Sequence, residues 1–196
     1  ANQPGVGRLR ITVTGGVGPL GSGRGDNGPT VVVVTGPLAE WSPTTAVVTV
    51  PWPRNERSAI AGLKTISYGE NVVALARAHE LGASEAIFPN TIGNLCEGTG
   101  TNVFVGVEGR LVTPALSAGC LAGITRELLL ELGLAEEADV PIAMLTVADE
   151  VFLTSSTREI QPVSTVDGND LPACLGPLTR AAMDAFAKLV ARDLDP

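Results

Sequence analysis

The segment Pro51-Trp52-Pro53-Arg54-Asn55-Glu56-Arg57 constrains the fold more than any other stretch of the chain. Two prolines and a cluster of charges end any regular element that reaches them. Ahead of it lie three runs rich in valine, isoleucine and threonine, at Arg8 to Thr14, Thr30 to Thr35 and Ala46 to Val50. Each reads as a strand, and a long glycine-rich loop joins the first two. That loop contains Gly16-Val17-Gly18-Pro19-Leu20-Gly21, a formal G-x-G-x-x-G, but a strand follows it where a dinucleotide site needs a helix. No helical periodicity accompanies the three strands, which are too little for an independent core. Residues 1–53 therefore read as the closing part of a small α/β domain whose beginning is absent. Residues 54–62 read as an interdomain linker, and residues 63–196 as a larger domain.

Composition removes several function classes. A hydrophobic share of 44% with 17% charged residues describes a globular chain. The formal net charge of -8, with no lysine or arginine run, argues against nucleic acid and against an anionic membrane surface. No apolar stretch approaches the length that spans a bilayer, and Ala1 to Arg10 lacks the pattern of a signal peptide. Cys96, Cys120 and Cys174 are odd in number and have no C-x-x-C spacing, which points away from a disulfide scaffold and a zinc site. The expectation is a soluble cytoplasmic protein that binds no metal.

Beyond the linker, Lys64 is the only lysine before Lys188. A lysine among apolar and small residues is a candidate for amine chemistry if burial lowers its pKa, and otherwise an exposed strand-end lysine. Val72, Val73, Leu75, Ala76, Ala78 and Leu81 form a stripe that predicts a helix from Asn71 to Leu81, stopped by Gly82. His79 stands alone on it and reads as a surface residue. Strands are predicted at Ala86 to Pro89, Gly93 to Cys96, Asn102 to Val107 and Leu111 to Thr113, with Glu108-Gly109 turning between the last two. Gly123-Ile124-Thr125 opens a helix running through Leu132, so free N–H groups and a hydroxyl stand at its mouth, a potential anion site or an ordinary cap. Glu150 to Ser156 and Ile160 to Val166 are strands, the first ending in the hydroxyl quartet Thr154-Ser155-Ser156-Thr157. A helix from Pro177 to Leu194 closes the chain with Leu178, Ala181, Ala182, Ala185, Phe186 and Leu189 facing inward.

Four features stand in a fixed order: Lys64, the run Cys96-Glu97-Gly98-Thr99-Gly100-Thr101-Asn102-Val103-Phe104, then Leu121-Ala122-Gly123-Ile124-Thr125-Arg126, then Thr154 to Ile160. Together they resemble the class IV aminotransferase family, the pyridoxal phosphate enzymes of fold type IV. The resemblance runs from about Gly62 to Gly168 and rests on E-G-x-x-x-N-x-F and L-x-G-I-T-R in combination. It implies an α/β (α+β) large domain of mixed sheets forming a pseudo-barrel with flanking helices, working as a homodimer on a small amino substrate. It implies pyridoxal 5'-phosphate as cofactor, with Lys64 as the catalytic amine that holds it as an imine and moves protons. Glu97 matches the acidic partner of the pyridine nitrogen, and Leu121 the residue packed on the ring face. Gly123, Ile124 and Thr125 match the phosphate cup, with Ser155 and Ser156 adding hydroxyls. Tyr68 matches a tyrosine near the ring's phenolic oxygen, and Arg57, seven residues before Lys64, has a counterpart in D-amino-acid transaminases. Asn102 and Arg126 read as structural. The family's front domain, with its phosphate-contacting arginine, has no match in this sequence.

The run Lys64-Thr65-x-Ser67-Tyr68 looks more like the family's aminodeoxychorismate lyases than its branched-chain aminotransferases. The expectation is therefore a lyase that cleaves 4-amino-4-deoxychorismate to 4-aminobenzoate and pyruvate, a step of folate synthesis. The alternatives are a transaminase of the branched-chain or D-amino-acid type and a non-catalytic fragment or scaffold.

Overall fold

The computed structural model describes residues 7–38 and 40–193. It divides into two compact units, Ala1–Glu40 and Trp41–Pro196. In the first, β1 (Arg8–Thr14) pairs antiparallel with β2 (Thr30–Gly36), Arg8 opposite Gly36 and Thr14 opposite Thr30. The loop between them is tied by Asn27 Nδ2, which donates to Val17 O at 2.8 Å. Leu9, Ile11, Val13 and Val31 to Val34 are all exposed on this ribbon.

The second unit begins with β3 (Thr45–Thr49), and the structure corrects the expected division at Pro53. β3 is not part of a front remnant. It pairs in parallel with β4 (Glu85–Pro89) on one side and β10 (Glu159–Val166) on the other, inside the large sheet. Its alternation explains the placement, because Val47 and Val48 are both buried but on opposite faces. Between β3 and β4 runs α1 (Gly69–Glu80). Then come β5 (Leu95–Gly98), β6 (Asn102–Val107), β7 (Arg110–Pro114), α2 (Ile124–Glu131), β8 (Glu136–Ala138) and β9 (Glu150–Ser155), and after β10 the short β11 (Asn169–Asp170) and α3 (Pro177–Arg192). The end of the last helix predicted at Leu194 lies outside the described residues.

Neighbours in the nine-stranded sheet follow the order β5-β4-β3-β10-β9-β6-β7-β8, with β11 on β10. The sheet curls until its ends meet: Leu95 N, on β5, donates to Val140 O, just past β8, at 2.6 Å. This curl is the pseudo-barrel expected from the sequence. Val47, Ile87, Val103, Val105, Val151 and Leu153 fill one side of it. On the other side Phe104 and Phe152 stack with ring centroids 4.8 Å apart, covered by Leu129 of α2 and Ala182 of α3. Strand-period alternation thus sends odd positions of β6 and β9 inward and even positions to the helices.

Two hairpins carry the left-handed residues that a two-residue turn requires. Glu108 (φ 51°) and Gly109 (φ 75°) join β6 to β7, and Asp167 (φ 51°) and Gly168 (φ 78°) join β10 to β11. Helix α1 departs from its predicted orientation. Ala74 and Ala78 are buried against Val48, Val50 and Phe88, whereas Val72, Val73 and Leu81 are exposed. Two alanines one turn apart allow the closest approach to the sheet, and that contact decides which face turns inward. On α3, Ala182 is buried but Ala181 is exposed. The buried Glu150 on β9 accepts from Leu178 N (3.2 Å) and Thr179 N (2.8 Å), so a carboxylate caps α3. Among the described residues no helix is long and apolar enough to cross a membrane.

Replacing Phe152 by Ala removes one of the stacked rings from a closed layer. Denaturant unfolding is expected to register a loss of about 3–5 kcal/mol, the range for such a cavity.

Candidate active site

β5 ends on Glu97-Gly98, and Thr99 to Thr101 turn the chain back into β6. Glu85, buried on β4, fixes this turn by accepting from Thr99 N at 2.9 Å, from the Thr99 hydroxyl and from Thr101 Oγ1 at 3.2 Å. A Cβ at position 98 would lie 2.1 Å from Thr101 Oγ1 and 3.1 Å from Glu85 Cδ, so only glycine fits. The two motifs then prove to be halves of one contact. Asn102 Nδ2 donates to Leu121 O at 2.8 Å, and Leu121 N donates to Glu97 Oε2 at 2.8 Å. Position 123 must be glycine because a Cβ there would fall 2.1 Å from Asn102 Oδ1.

Asn102 and Arg126 have the structural character expected of them. Arg126 is 1% exposed, donates to Pro114 O at 2.9 Å and pairs with Glu137, holding the start of α2 against β7 and β8. The first bond within α2 is Glu127 N to Gly123 O. The N–H groups of Ile124 and Thr125 precede that bond and are not used by the helix.

A cavity of about 610 Å³ opens over this contact. Lys64 and Tyr68 border it from the segment before α1, Glu97 from β5, and Leu121, Gly123, Ile124 and Thr125 from the start of α2. Ser155 and Ser156 border it from the end of β9. The amine and the carboxylate, far apart in sequence, therefore face one space. Lys64 is exposed, so burial does not set it apart; its position on the cavity does. Its Nζ donates to Tyr68 Oη at 3.4 Å.

Arg57 is not at the cavity, which corrects the expectation for it. Its backbone N–H bonds Asn55 Oδ1 at 3.0 Å in a turn beside the lining residue Arg54. Arg54 takes the place in the cavity expected of Arg57. Arg54 N donates to Pro89 O at 2.7 Å, which anchors it beside β4. Its guanidinium lies 4.2 Å from the Phe88 ring centroid, and its Nε is 3.3 Å from Glu97 Oε1. No motif marked Arg54 in the sequence; its only signal was its place directly after Pro53.

Thr154 was also missed as a site residue, although the hydroxyl quartet pointed to it. It is 1% exposed, borders the cavity, and its Oγ1 has no hydrogen-bond partner among the described residues. A buried hydroxyl left unpaired costs about 1–3 kcal/mol, and this orphaned one belongs to a residue of the same cavity wall that carries Ile124 and Thr125.

Electrostatics separate the carboxylate from the thiols. Burial pushes the Glu97 carboxyl above its ordinary pKa, while the Leu121 N–H, Arg54 and Lys64 pull it back and Glu85 opposes them. Cys96 and Cys120 are buried, and burial raises both, Cys120 to about 11. At neutral pH they stay protonated and are poor nucleophiles. The polar groups at the cavity thus include an amine, the Glu97 carboxylate with the Arg54 guanidinium beside it, and the free N–H groups at the start of α2. That set suits a ligand with an electrophilic carbon, a basic ring nitrogen and an anionic group.

The family model described as amino-transferase class IV matches residues 1–166. The chain belongs to that family. A branched-chain-amino-acid aminotransferase of Pseudomonas aeruginosa is 34% identical over 63% of this chain and 42% of its own length. Among solved structures, a branched-chain amino acid aminotransferase from Thermobaculum terrenum in its PLP form has a TM-score of 0.78 and 29% identity, covering 87% of this chain and 60% of that one. A Legionella pneumophila chain assigned as a 4-amino-4-deoxychorismate lyase has a TM-score of 0.86, covering 92% of this chain and 69% of that one. At 24% identity that likeness speaks for the fold. The chain spans about half the length of the curated relatives it matches.

The contact between the two motifs makes a sharp demand on Gly123. In the full-length protein, Gly123→Ala is expected to break the Asn102 to Leu121 bond and to weaken uptake of an anionic ligand at least tenfold in an equilibrium titration. Uptake equal to that of the wild type would show that the close approach is not needed.

Proposed function

We propose that the full-length protein is a pyridoxal 5'-phosphate enzyme acting on the amino group of a small amino acid, and that transamination is its reaction. The observation that carries this reading is the convergence of Lys64 and Glu97 on one cavity beside the start of α2. The donor set fits the cofactor: the unpaired Thr154 hydroxyl and the unused N–H groups of Ile124 and Thr125 suit a phosphate, and Glu97 suits a ring nitrogen. When bound, the cofactor supplies an electrophilic carbon and an electron sink.

Each residue then has a task that follows from its place. Lys64 Nζ would be the amine that holds the cofactor and, when free, the base placed to take a proton from the substrate α-carbon. Tyr68 Oη, 3.4 Å from that amine, accepts its hydrogen bond and keeps it directed into the cavity. Glu97 would hold a proton on the ring nitrogen, and Leu121 N–H, bonded to Glu97 Oε2, keeps the carboxylate from turning away. Ser155 and Ser156 border the cavity at the end of β9, where hydroxyls add donors for the phosphate.

Transamination comes first because relatives about a third identical to this chain over the aligned residues are named as aminotransferases. The lyase reading, which the sequence placed first, keeps one support in the run Lys64-Thr65-x-Ser67-Tyr68. Substrate choice resides in pocket loops that one fold varies freely. The working unit is read as a homodimer, supported by the exposed apolar face of α1 at Val72 and Val73. The compartment is read as the cytoplasm, supported by three unpaired cysteines.

Borohydride treatment of the cofactor-loaded full-length protein, followed by peptide mapping, is expected to leave a pyridoxyl group on Lys64. A label elsewhere, or none, overturns the reading. Lys64→Ala is expected to abolish turnover, and Glu97→Gln to retain cofactor while slowing turnover by about 10²-fold or more, in line with loss of a positioned charge. Leucine or D-alanine with 2-oxoglutarate should yield glutamate. Turnover of aminodeoxychorismate alone, to pyruvate and 4-aminobenzoate, would assign the lyase instead.

A further inference from the structure

Glu97 poses a problem that the cavity residues described so far do not solve. Its side chain is 15% exposed, and among the described residues one hydrogen bond, from Leu121 N, serves its two oxygens. An isolated carboxylate in such surroundings prefers to take up a proton. A protonated Glu97 cannot serve a protonated ring nitrogen.

Arg54 stands where a compensating charge is required. Its Nε lies 3.3 Å from Glu97 Oε1, and its side chain is 16% exposed. Besides an ion pair from its Nη1 to the exposed Glu70 of α1 at 3.3 Å, three further contacts fix it there. Its backbone N–H is bonded to Pro89 O, its guanidinium packs on Phe88, and Nη1 donates to Asn71 Oδ1 at 2.9 Å. Asn71 in turn donates through Nδ2 to Thr99 O, in the turn that follows Glu97. A ring of contacts therefore leaves β5 at Glu97, passes through Arg54 and α1, and returns to the chain two residues later. Nε–H makes no hydrogen bond among the described residues, so charge and not alignment holds it to Glu97.

We propose that Arg54 is a positioning residue that keeps Glu97 a carboxylate and directs it into the cavity. This rests on the proposed function for its catalytic purpose, but the ion pair itself belongs to the chain alone. The other charged or titratable groups facing Glu97 are Lys64 across the cavity, Glu85 behind the turn, and the thiols of Cys96 and Cys120. Lys64 cannot replace Arg54 in this task, because the proposed reaction engages its amine with the cofactor. Glu85 acts in the opposite sense, as a second negative charge.

The test uses the full-length protein freed of cofactor, with glutamate labelled by carbon-13 at the carboxyl and Glu97→Gln identifying the resonance. Arg54→Met retains packing on Phe88 and removes the charge. Its Glu97 midpoint is expected to move upward by about one pH unit or more, the effect of losing an opposite charge at this range. Arg54→Lys restores the charge and is expected to bring the midpoint back toward the wild type. Should Arg54→Met not fold, Arg54→Gln, whose amide can still reach Asn71, gives the neutral comparison. Affinity for pyridoxal phosphate should follow: a neutral variant loses more on acidification than the wild type, because a proton on Glu97 competes with the ring nitrogen. Neutral variants that titrate like the wild type overturn the proposal. So does an equal displacement in Arg54→Met and Arg54→Lys, which would mean packing and not charge. If the wild type takes up no pyridoxal phosphate, the proposed function fails, while the carboxyl titration still decides the role of Arg54.

Discussion

A mostly buried carboxylate is the constraint around which the second unit is arranged. Glu97 has to be taken out of water to face the cavity, and doing so is costly unless its surroundings return what hydration supplied. The Leu121 N–H supplies one part, which requires the loop before α2 to approach β5. Asn102 holds that loop by its carbonyl, and Gly123 lets it come close enough. The glycine at 123 and the asparagine at 102 are therefore spatial requirements of one carboxylate. Their spacing in sequence records how far the chain travels between β5 and α2.

The site was legible through the resemblance of its motifs to a family, and the structure supplies the physical reason for those residue types: close backbone approach admits only glycine, and a side-chain amide bridging two loops admits few substitutes. The strands were legible for a different reason. Sheets buried on both faces need continuous apolar runs, and Val103 to Val107 or Val151 to Leu153 can be little else. The hairpin at Glu108-Gly109 announced itself, since positive φ there narrows the choice.

What was not legible shares one property: it depends on packing between segments far apart in sequence. β3 looked like the tail of a front domain because nothing local reveals its two parallel neighbours. The face that α1 turns inward is chosen by the distance to Phe88, which favours small alanines over larger valines. Arg54 and Arg57 both sit in a charged run, and only the anchoring of Arg54 beside Pro89 determines which of them reaches Glu97. Lys64 shows the converse. Its isolation in the sequence left its role open and the family resemblance assigned it, while its significance in space comes from facing the same opening as a carboxylate.

The cap on α3 has a consequence for the order in which the protein is made. Glu150 is buried in β9, and both backbone donors that satisfy it, Leu178 N and Thr179 N, lie near the start of the last helix. A chain emerging from the ribosome carries this charge for nearly thirty residues of synthesis before its partners exist. β9, the strand that ends in the hydroxyls of the cavity, therefore cannot settle into its final surroundings until those two residues are in place. Completion of the mouth of the site is thereby tied to one of the last parts of this sequence to be translated.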